Sequence, residues 1–318
     1  MAYLVTGGTG FIGSYVVRDI VREGERVVVY DLFPERSVFE RLLSEEERAR
    51  IKIVRGDVAD LAYLLHTIKE NNVDRIIHMA ALLTAGAVAN PPLALKVNSE
   101  GTINVFEAAR LLGLKKVFWA SSISVFGFSQ KYAYECIAND APHRPSDIYG
   151  ACKSFNENAA DFYFERYGLD ISAIRYGHPY GVGMQEGIHG TANLIRELIE
   201  NPVWGKPGKV PFADNVMNWL YVDDAARATL LGTKIPRTKT RAFNISGDVR
   251  SLREITDYIR KLVPGADITL LPGSRGSPCR FETKPIEEEL GFRPQWSVER
   301  GIKEILNTAR RQRGLPPV

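Results

Sequence analysis

A tyrosine and a lysine stand four residues apart in the segment "SDIYGACKSFNENAADFYFERYG" (146–168). On a helix, Tyr149 and Lys153 share one face, so both side chains can reach the same ligand. A free phenol, with a pKa of about 10, is a poor base near neutral pH, but a neighbouring ammonium group stabilises the phenolate. Tyrosinate can then accept the proton of a substrate hydroxyl. Read alone, the spacing more often marks an exposed pair on a helix.

Two serines end the apolar run "KKVFWASS" (115–122), which predicts a β-strand. Ligands of open α/β sheets bind at the carboxyl ends of the strands. A hydroxyl of Ser121 or Ser122 can therefore donate to a reacting oxygen and stabilise the charge that develops there. Serines at strand ends also form turns. Together with the tyrosine and the lysine, they indicate hydride chemistry at a secondary alcohol or a ketone.

A glycine-rich turn near the N-terminus, "VTGGTGFIG", points to the hydride carrier. Gly7, Gly10 and Gly13 lie between a predicted strand and a predicted helix, as in loops that hold the pyrophosphate of a dinucleotide. The next strand ends in Asp31, whose carboxylate can accept hydrogen bonds from both ribose hydroxyls of adenosine. Because the same carboxylate would repel a 2′-phosphate, the sequence favours NAD over NADP, although Arg36 is close by. The alternative is an ordinary strand, turn and helix without a ligand.

A second acidic residue, Asp57, ends the third predicted strand, "IKIVRGD" (51–57). At that edge of the sheet it can bind the amino group of adenine. It can equally cap the following helix. The sequence leaves both interpretations open.

The elements that carry these residues alternate between strand and helix through the first half of the chain. This rhythm, with strands that are apolar almost throughout, predicts an α/β fold with a doubly wound parallel Rossmann sheet. The predicted strands are 3–7, 26–31, 51–57, 74–80, 115–122 and 170–177, and the predicted helices are 13–23, 61–71, 92–112 and 147–167.

After Gly177 the pattern becomes less regular, which predicts a smaller, interleaved C-terminal α/β lobe for the substrate. We expect residues 1–176 to form the cofactor domain, rejoined by about 213–246, and residues 177–212 and 247–318 to form the lobe. A glycine-rich loop is expected at 177–190, a helix at 191–200 and a strand at 241–246. "SLRE" is a capping box that predicts a helix from Ser251, with Glu254 in the third position.

Composition narrows the possible partners. The 41 basic and 38 acidic residues of this 318-residue chain balance too evenly to indicate a nucleic acid or a membrane surface. Three cysteines without metal-ligand spacing are typical of reduced thiols, and the first residues show no secretory signal. We therefore expect a cytoplasmic enzyme with a small-molecule substrate and no bound metal.

A series of short motifs resembles the extended branch of the short-chain dehydrogenase/reductase superfamily, the NAD-dependent sugar epimerases and dehydratases. The resemblance covers nearly the whole chain. The motifs are "TGGTGFIG", "GDVAD", "HMAA", "NSEGTINVFEAA", "SSISVFG", "YGACK", "IRYGHPYG", "YVDDAA" and "ELGFRP".

The resemblance implies a role for each matching residue. Tyr149 is the expected base, Lys153 the ligand of the nicotinamide ribose, and Ser122 rather than Ser121 the hydroxyl at the reacting oxygen. The residues expected to bind NAD are Gly7, Gly10, Phe11, Ile12, Gly13, Asp31, Asp57, Val58, Met79, Ala80, Ala81, Asn98, Tyr149 and Lys153. Those expected at the substrate are Thr84, Ser122, His178, Asn218 and Arg275.

The resemblance also implies a homodimer that is formed by the helices at 92–112 and 147–167. In the second of these helices, Phe155, Ala159 and Phe162 repeat at helical spacing. This apolar stripe is expected to pack in the core or in the dimer interface.

Two positions depart from the pattern of UDP-galactose 4-epimerase. His178 replaces an asparagine and is a substrate ligand, an acid/base group or a packed histidine, with packing or hydrogen bonding favoured over proton transfer. Met217 replaces an arginine that clamps a diphosphate, a contact that methionine cannot make. The leading interpretation is a sugar epimerase acting on a nucleotide sugar or a related compound. The alternatives are a net dehydrogenase of a hydroxy compound without a nucleotide and a non-catalytic NAD(H) sensor.

Overall fold

The computed structural model describes residues 1–128, 136–184, 190–274, 276 and 279–318. Arg275, one of the predicted substrate ligands, lies outside the described residues. In the described part of the chain, no helix is long and apolar enough to cross a membrane.

Seven parallel strands form the main sheet, which confirms the predicted fold class. These strands are β1 (Ala2–Thr6), β2 (Arg26–Asp31), β3 (Ile51–Arg55), β4 (Arg75–His78), β5 (Lys116–Ser122), β6 (Asp170–Tyr176) and β10 (Ala242–Asn244). Their order across the sheet is β10-β6-β5-β4-β1-β2-β3, and every pair is parallel. The chain reverses its direction of travel across the sheet between β1 and β4, so a ligand site is expected at their carboxyl ends.

Helices cover both faces of this sheet. The first half of the chain contains α1 (Phe11–Arg22), α2 (Ser37–Glu40), α3 (Glu45–Ala49), α4 (Leu61–Glu70), α5 (Thr84–Ala89), α6 (Pro91–Ala94), α7 (Gly101–Leu111) and α8 (Ile148–Tyr167). The helix predicted for 92–112 is interrupted by a π-helical stretch, Leu95–Glu100, that separates α6 from α7. Wide turns of this kind often occur at functional sites, and this one contains the buried Asn98.

Two smaller sheets form the remainder of the molecule. The strands β7 (His178–Tyr180), β9 (Val216–Tyr221) and β11 (Asp248–Ser251) make a three-stranded sheet, and β8 (Gly208–Val210) pairs with β12 (Ile268–Leu270). The sequence predicted a loop where β7 lies. A three-residue strand is too short to produce a recognisable alternation of apolar residues.

The helices of this second half are α9 (Gly190–Ile195), α10 (Asn201–Val203), α11 (Val222–Lys234), α12 (Leu252–Leu262), α13 (Lys284–Leu290) and α14 (Val298–Arg311), with a π-helical stretch at Arg196–Glu200. The predicted capping box is present, because Ser251 and Glu254 each bind the other's backbone amide. The predicted strand at 241–246 joins the main sheet as β10, whereas β9 belongs to the three-stranded sheet.

Candidate active site

A cavity of about 470 Å³ opens at the carboxyl edge of the main sheet, where β1, β4, β5 and β6 end. Most of the residues predicted for the site line this cavity, although they come from distant parts of the sequence. They are Gly7, Gly10, Phe11, Ile12, Gly13, Met79, Ala81, Thr84, Ser122, Tyr149, Lys153 and His178.

The glycine-rich turn forms one wall of the cavity, and it has the geometry that glycine alone tolerates. Gly7 has a φ of +65°, and a Cβ atom there would lie 2.6 Å from the backbone nitrogen of Ala80. A Cβ atom on Gly13 would overlap the carbonyl oxygen of Gly7. Gly10 begins α1 without a side-chain cap. The turn therefore exposes backbone and a helix N-terminus to the cavity, a cradle that suits a pyrophosphate.

Asp31 lies at the end of β2, beside this turn. One of its carboxylate oxygens accepts hydrogen bonds from the hydroxyl (2.7 Å) and the amide nitrogen (3.2 Å) of Thr9, and the other accepts one from the amide of Phe33 at 3.3 Å. The carboxylate is only partly buried. It therefore joins the glycine-rich turn to β2 and remains accessible at the adenosine end expected for the cofactor.

Four other predicted cofactor ligands, Asp57, Val58, Ala80 and Asn98, lie outside the cavity lining. Asp57 accepts a hydrogen bond from the amide of Ala59 at 2.9 Å in a turn, while Asp60 is the residue that caps α4. Val58 is buried against Gly101. Ala80, which follows the end of β4, packs against Gly7. The structure therefore gives these residues clear packing or turn-forming roles, and their contact with a cofactor stays a prediction.

Asn98 lies beneath the cavity wall rather than in it. Its side chain is completely buried, and its amide binds both backbone groups of Leu82, at 2.7 and 2.8 Å. Asn98 thus fixes the segment that leads to Thr84. The structure provides it with a positioning role that the sequence did not indicate.

The catalytic candidates meet where α8 crosses the end of β5. Tyr149 is buried, and it lines the same cavity as Ser122, whose hydroxyl lies near the phenol. The helix comes this close because residue 150 is glycine, since a Cβ atom there would overlap the carbonyl oxygen of Ser124. Burial raises the pKa of Tyr149 to about 12, although the hydrogen bond from Ser122 opposes the rise. Without a ligand, the phenol is therefore protonated at neutral pH.

Lys153 is also buried, but its ammonium group does not contact the phenol. Its Nζ donates to the carbonyl oxygen of Ala120 at 2.6 Å and lies 5.6 Å from the ring centre of Tyr149. Burial lowers the pKa of Lys153 to about 8. In the ligand-free protein this ammonium therefore does not by itself stabilise the phenolate. A further positive charge in the cavity would be needed to stabilise the phenolate.

His178 is one of the predicted substrate ligands. His178 lines the cavity, and burial lowers its pKa to about 4, so its imidazole is neutral at pH 7. Its Nδ1 is buried and has no hydrogen-bond partner among the described residues. This supports the packed role over proton transfer.

Asn218 already has protein hydrogen-bond partners, and its contact with a substrate stays a prediction. Asn218 is fully buried, and its amide is occupied by the Ser246 hydroxyl (2.7 Å), the Cys279 carbonyl (3.0 Å) and the Gly247 amide (2.9 Å). With these bonds made, it ties β9 to two neighbouring loops. Met217 is buried in the apolar core on the opposite face of β9.

Sequence reasoning missed two polar residues beside the catalytic candidates. Ser124 lines the cavity, and its Oγ lies 3.1 Å from the Oγ of Ser122. Glu157 is buried and accepts a hydrogen bond from Ser121. Extending the four-residue spacing from Tyr149 and Lys153 by one step would have found Glu157, because all three positions share one helix face.

The apolar stripe of α8 is not core in the isolated chain. Phe155 and Phe162 are 53% and 54% exposed, whereas Ala159 packs partly against the apolar cluster beneath the helix. Both rings therefore lie on the surface of the isolated chain.

Comparison with known proteins agrees with this geometry. Residues 3–246 match the model of the NAD dependent epimerase/dehydratase family. The chain belongs to this family. It is therefore an NAD-dependent enzyme of the extended short-chain dehydrogenase/reductase type.

Individual relatives resemble the chain over its whole length. A UDP-glucose 4-epimerase of Mycolicibacterium smegmatis is 31% identical, over 96% of this chain and 97% of the relative. The structure of Thermus thermophilus UDP-glucose 4-epimerase in complex with NAD is similar with a TM-score of 0.82 and 26% identity, over 98% of this chain and 99% of that one. A consensus L-threonine 3-dehydrogenase shares the fold, with a TM-score of 0.87 and 23% identity, over 98% and 100% of the two chains.

Proposed function

We propose that this enzyme interconverts two epimers of a nucleotide-diphosphate sugar by removing hydride from a secondary carbon and returning it to the opposite face. The observation that carries the proposal is the meeting of the Tyr149 phenol and the Ser122 hydroxyl beside the glycine-rich turn, in one cavity. The Mycolicibacterium smegmatis relative, a UDP-glucose 4-epimerase, supports the choice of substrate class.

The residues divide the work by their chemistry. NAD bound in the cradle of Gly7, Gly10 and Gly13 supplies the hydride acceptor and a positive charge. Ser122 donates to the substrate oxygen, and Tyr149 accepts the hydroxyl proton as the carbon becomes a ketone. Lys153 holds the nicotinamide ribose. After the ketone rotates to present its other face, return of the hydride to its carbon and of the proton from Tyr149 to its oxygen would give the other epimer.

The test is a search for interconversion without net redox change. The purified enzyme is incubated with UDP-glucose or UDP-galactose, and both the epimer ratio and NADH absorbance are followed. We expect the two sugars to approach one equilibrium mixture without accumulation of NADH. Tyr149→Phe should lower the rate by about 10²- to 10⁴-fold. The matched control is Tyr163→Phe, which removes another phenol from α8. The hydroxyl of Tyr163 donates to Glu107 at 2.9 Å rather than facing the cavity, so this variant should retain activity. Full turnover by Tyr149→Phe would contradict the assigned base.

A second candidate is a net dehydrogenase of a small hydroxy compound without a nucleotide. Two observations favour it: Met217 lies in the core where a diphosphate-binding arginine was expected, and none of the described cavity-lining residues is an arginine. Here substrate and added NAD would yield stoichiometric NADH. If NADH forms with free polyols or amino alcohols but not with UDP-sugars, the enzyme is a dehydrogenase rather than a nucleotide-sugar epimerase.

We further propose that the enzyme is a homodimer formed through the helical segments 92–112 and 147–167. Phe155 and Phe162 are exposed on the second of these segments. The charge-introducing variant Phe155→Lys/Phe162→Lys should be monomeric in light scattering if this surface is the interface. Residues 1–176, rejoined by about 213–246, would form the cofactor domain, and 177–212 with 247–318 the substrate lobe.

A further inference from the structure

Three side chains on one face of α8 meet the last three residues of β5. Tyr149 lies near Ser122, Lys153 donates to the carbonyl of Ala120, and Glu157 accepts from the hydroxyl of Ser121. The helix residues are spaced by four, so they form a row facing the strand. Both catalytic elements, the helix with the phenol and the strand with the serine, are therefore joined along their shared edge.

Glu157 is the member of this row that no catalytic role explains. It is 6% exposed and is held by Arg175 of β6, whose Nε lies 3.0 Å from one carboxylate oxygen and whose terminal nitrogen lies 2.7 Å from the other. The imidazole of His143 lies 3.2 Å from the same carboxylate. Arg175 stands directly opposite Ser121 in the β5–β6 pairing. Arg175 and His143 therefore hold the Glu157 carboxylate in the position from which it binds Ser121.

We propose that Glu157 is a positioning residue for the reaction, one that holds Ser122 against the phenol of Tyr149 by binding the neighbouring Ser121. This inference rests on the proposed hydride-transfer function of the site. An ion pair with Arg175 alone would only hold α8 to β6. The bond to Ser121 extends the restraint to the strand end that carries the reacting serine.

The argument has a measurable consequence at Tyr149. The hydrogen bond from Ser122 lowers the pKa of the phenol, in opposition to burial. When Ser121 is released from Glu157, the strand end can shift, this hydrogen bond weakens, and the pKa rises. The other charged groups near Tyr149 are Asp147 and Lys153, and those near Glu157 are Arg175, His143 and Asp161.

The decisive variant is Ser121→Ala, which removes the hydrogen bond but leaves every charge in place. The phenol is titrated in the NAD complex by the ultraviolet difference between each enzyme and its Tyr149→Phe counterpart. We expect the pKa of Tyr149 to rise by about 0.5 to 1. We expect kcat to fall by roughly 10-fold with KM little changed, because misplacement affects the transition state more than binding.

Glu157→Asp is the complementary variant, since it keeps the charge for Arg175 but withdraws the carboxylate from Ser121. Glu157→Asp should also raise the pKa of Tyr149 and lower kcat. The double variant Ser121→Ala/Glu157→Asp should lose no more activity than the more affected single variant, because each change breaks the same hydrogen bond between Ser121 and Glu157. The matched control is Ser172→Ala. Ser172 is a fully buried serine of β6 whose hydroxyl has no partner among the described residues.

Three results would overturn the proposal: an unchanged phenol pKa and kcat in Ser121→Ala, additive losses in the double variant, or an equal loss in Ser172→Ala. Melting temperatures identify variants that fail to fold. The titration needs no turnover, so it tests the inference even if no UDP-sugar is converted. Conversely, if the enzyme does not interconvert UDP-sugars but the pKa of Tyr149 still rises in Ser121→Ala, only the proposed epimerase function fails.

Discussion

Replacing the buried lysine of the active site should stabilise the ligand-free protein while it abolishes catalysis. Burial lowers the pKa of Lys153 from an ordinary 10.5 to about 8. At about 1.4 kcal/mol for each pKa unit, the protonated side chain costs the folded state about 3 kcal/mol. Lys153→Met removes this cost and the hydrogen bond to Ala120, which is worth about 1.5–3 kcal/mol. The variant should therefore be more stable by roughly 1 kcal/mol near pH 7.

The sign of this difference should depend on pH. Because the folded-state pKa lies below that of the unfolded chain, both states of the wild type hold the proton below about pH 8, and the cost is fully present there. Between about pH 8 and 10.5 the unfolded state binds more protons, so the stability of the wild type rises relative to Lys153→Met. By about pH 10 this rise is about 2–3 kcal/mol, which makes the variant the less stable protein.

The measurement is urea unfolding of both proteins without cofactor, near pH 7 and near pH 10. Their difference in unfolding free energy isolates Lys153, because all other titrating groups are shared. Lys116→Met provides the matched control. Burial also lowers the pKa of Lys116 to about 8, but its ammonium is paired with Asp170 at 2.5 Å. Removing it should destabilise the protein by about 2 kcal/mol, since it leaves part of a buried carboxylate unpaired.

The reasoning is refuted if the difference between wild type and Lys153→Met stays constant from neutral to alkaline pH. A constant difference would mean that the ammonium is solvated in the folded protein. A variant that is less stable at both pH values, with the expected slope, would mean only that the hydrogen bond to Ala120 outweighs the cost of burial.

Three further predictions concern the same cavity. Gly150→Ala should lower kcat by about 10²-fold at nearly unchanged NAD affinity in a fluorescence titration, because its Cβ would push α8 away from Ser124; equal kcat would refute the close approach. Asp31→Ala should weaken NAD far more than NADP in the same titration, since the carboxylate favours ribose hydroxyls over a phosphate; equal affinities in the wild type would contradict this. His178, neutral because burial lowers its pKa to about 4, should contribute no titration to kcat/KM above about pH 5; an inflection near pH 6.5 that His178→Gln abolishes would restore it as a proton donor.

The sequence by itself determined the fold class and the elements that meet at the site. Alternating strands and helices predict a parallel α/β sheet, and the glycine-rich turn after the first strand points to its doubly wound, dinucleotide-binding form. The backbone of a pyrophosphate cradle requires glycine at positions such as 7 and 13. Because carboxyl ends of parallel strands share one edge, Ser122 and the glycine-rich turn had to converge. Tyr149 and Lys153 could be assigned to one helix face from their spacing alone.

Tertiary structure decided what the polar side chains do once they are there. The side-chain amides of Asn98 and Asn218 hydrogen-bond backbone groups of Leu82 and Gly247. These partners lie in loops that are distant in the sequence. Lys153 binds Ala120 rather than the phenol, and burial moves the pKa of Tyr149 in the opposite direction from a simple lysine–tyrosine pair. Desolvation and long-range hydrogen bonds set these properties, and neither is encoded in local spacing. Spacing could have placed Glu157 on the face of Tyr149 and Lys153, but its partners Ser121 and Arg175 follow only from the packing of α8 on β5 and β6.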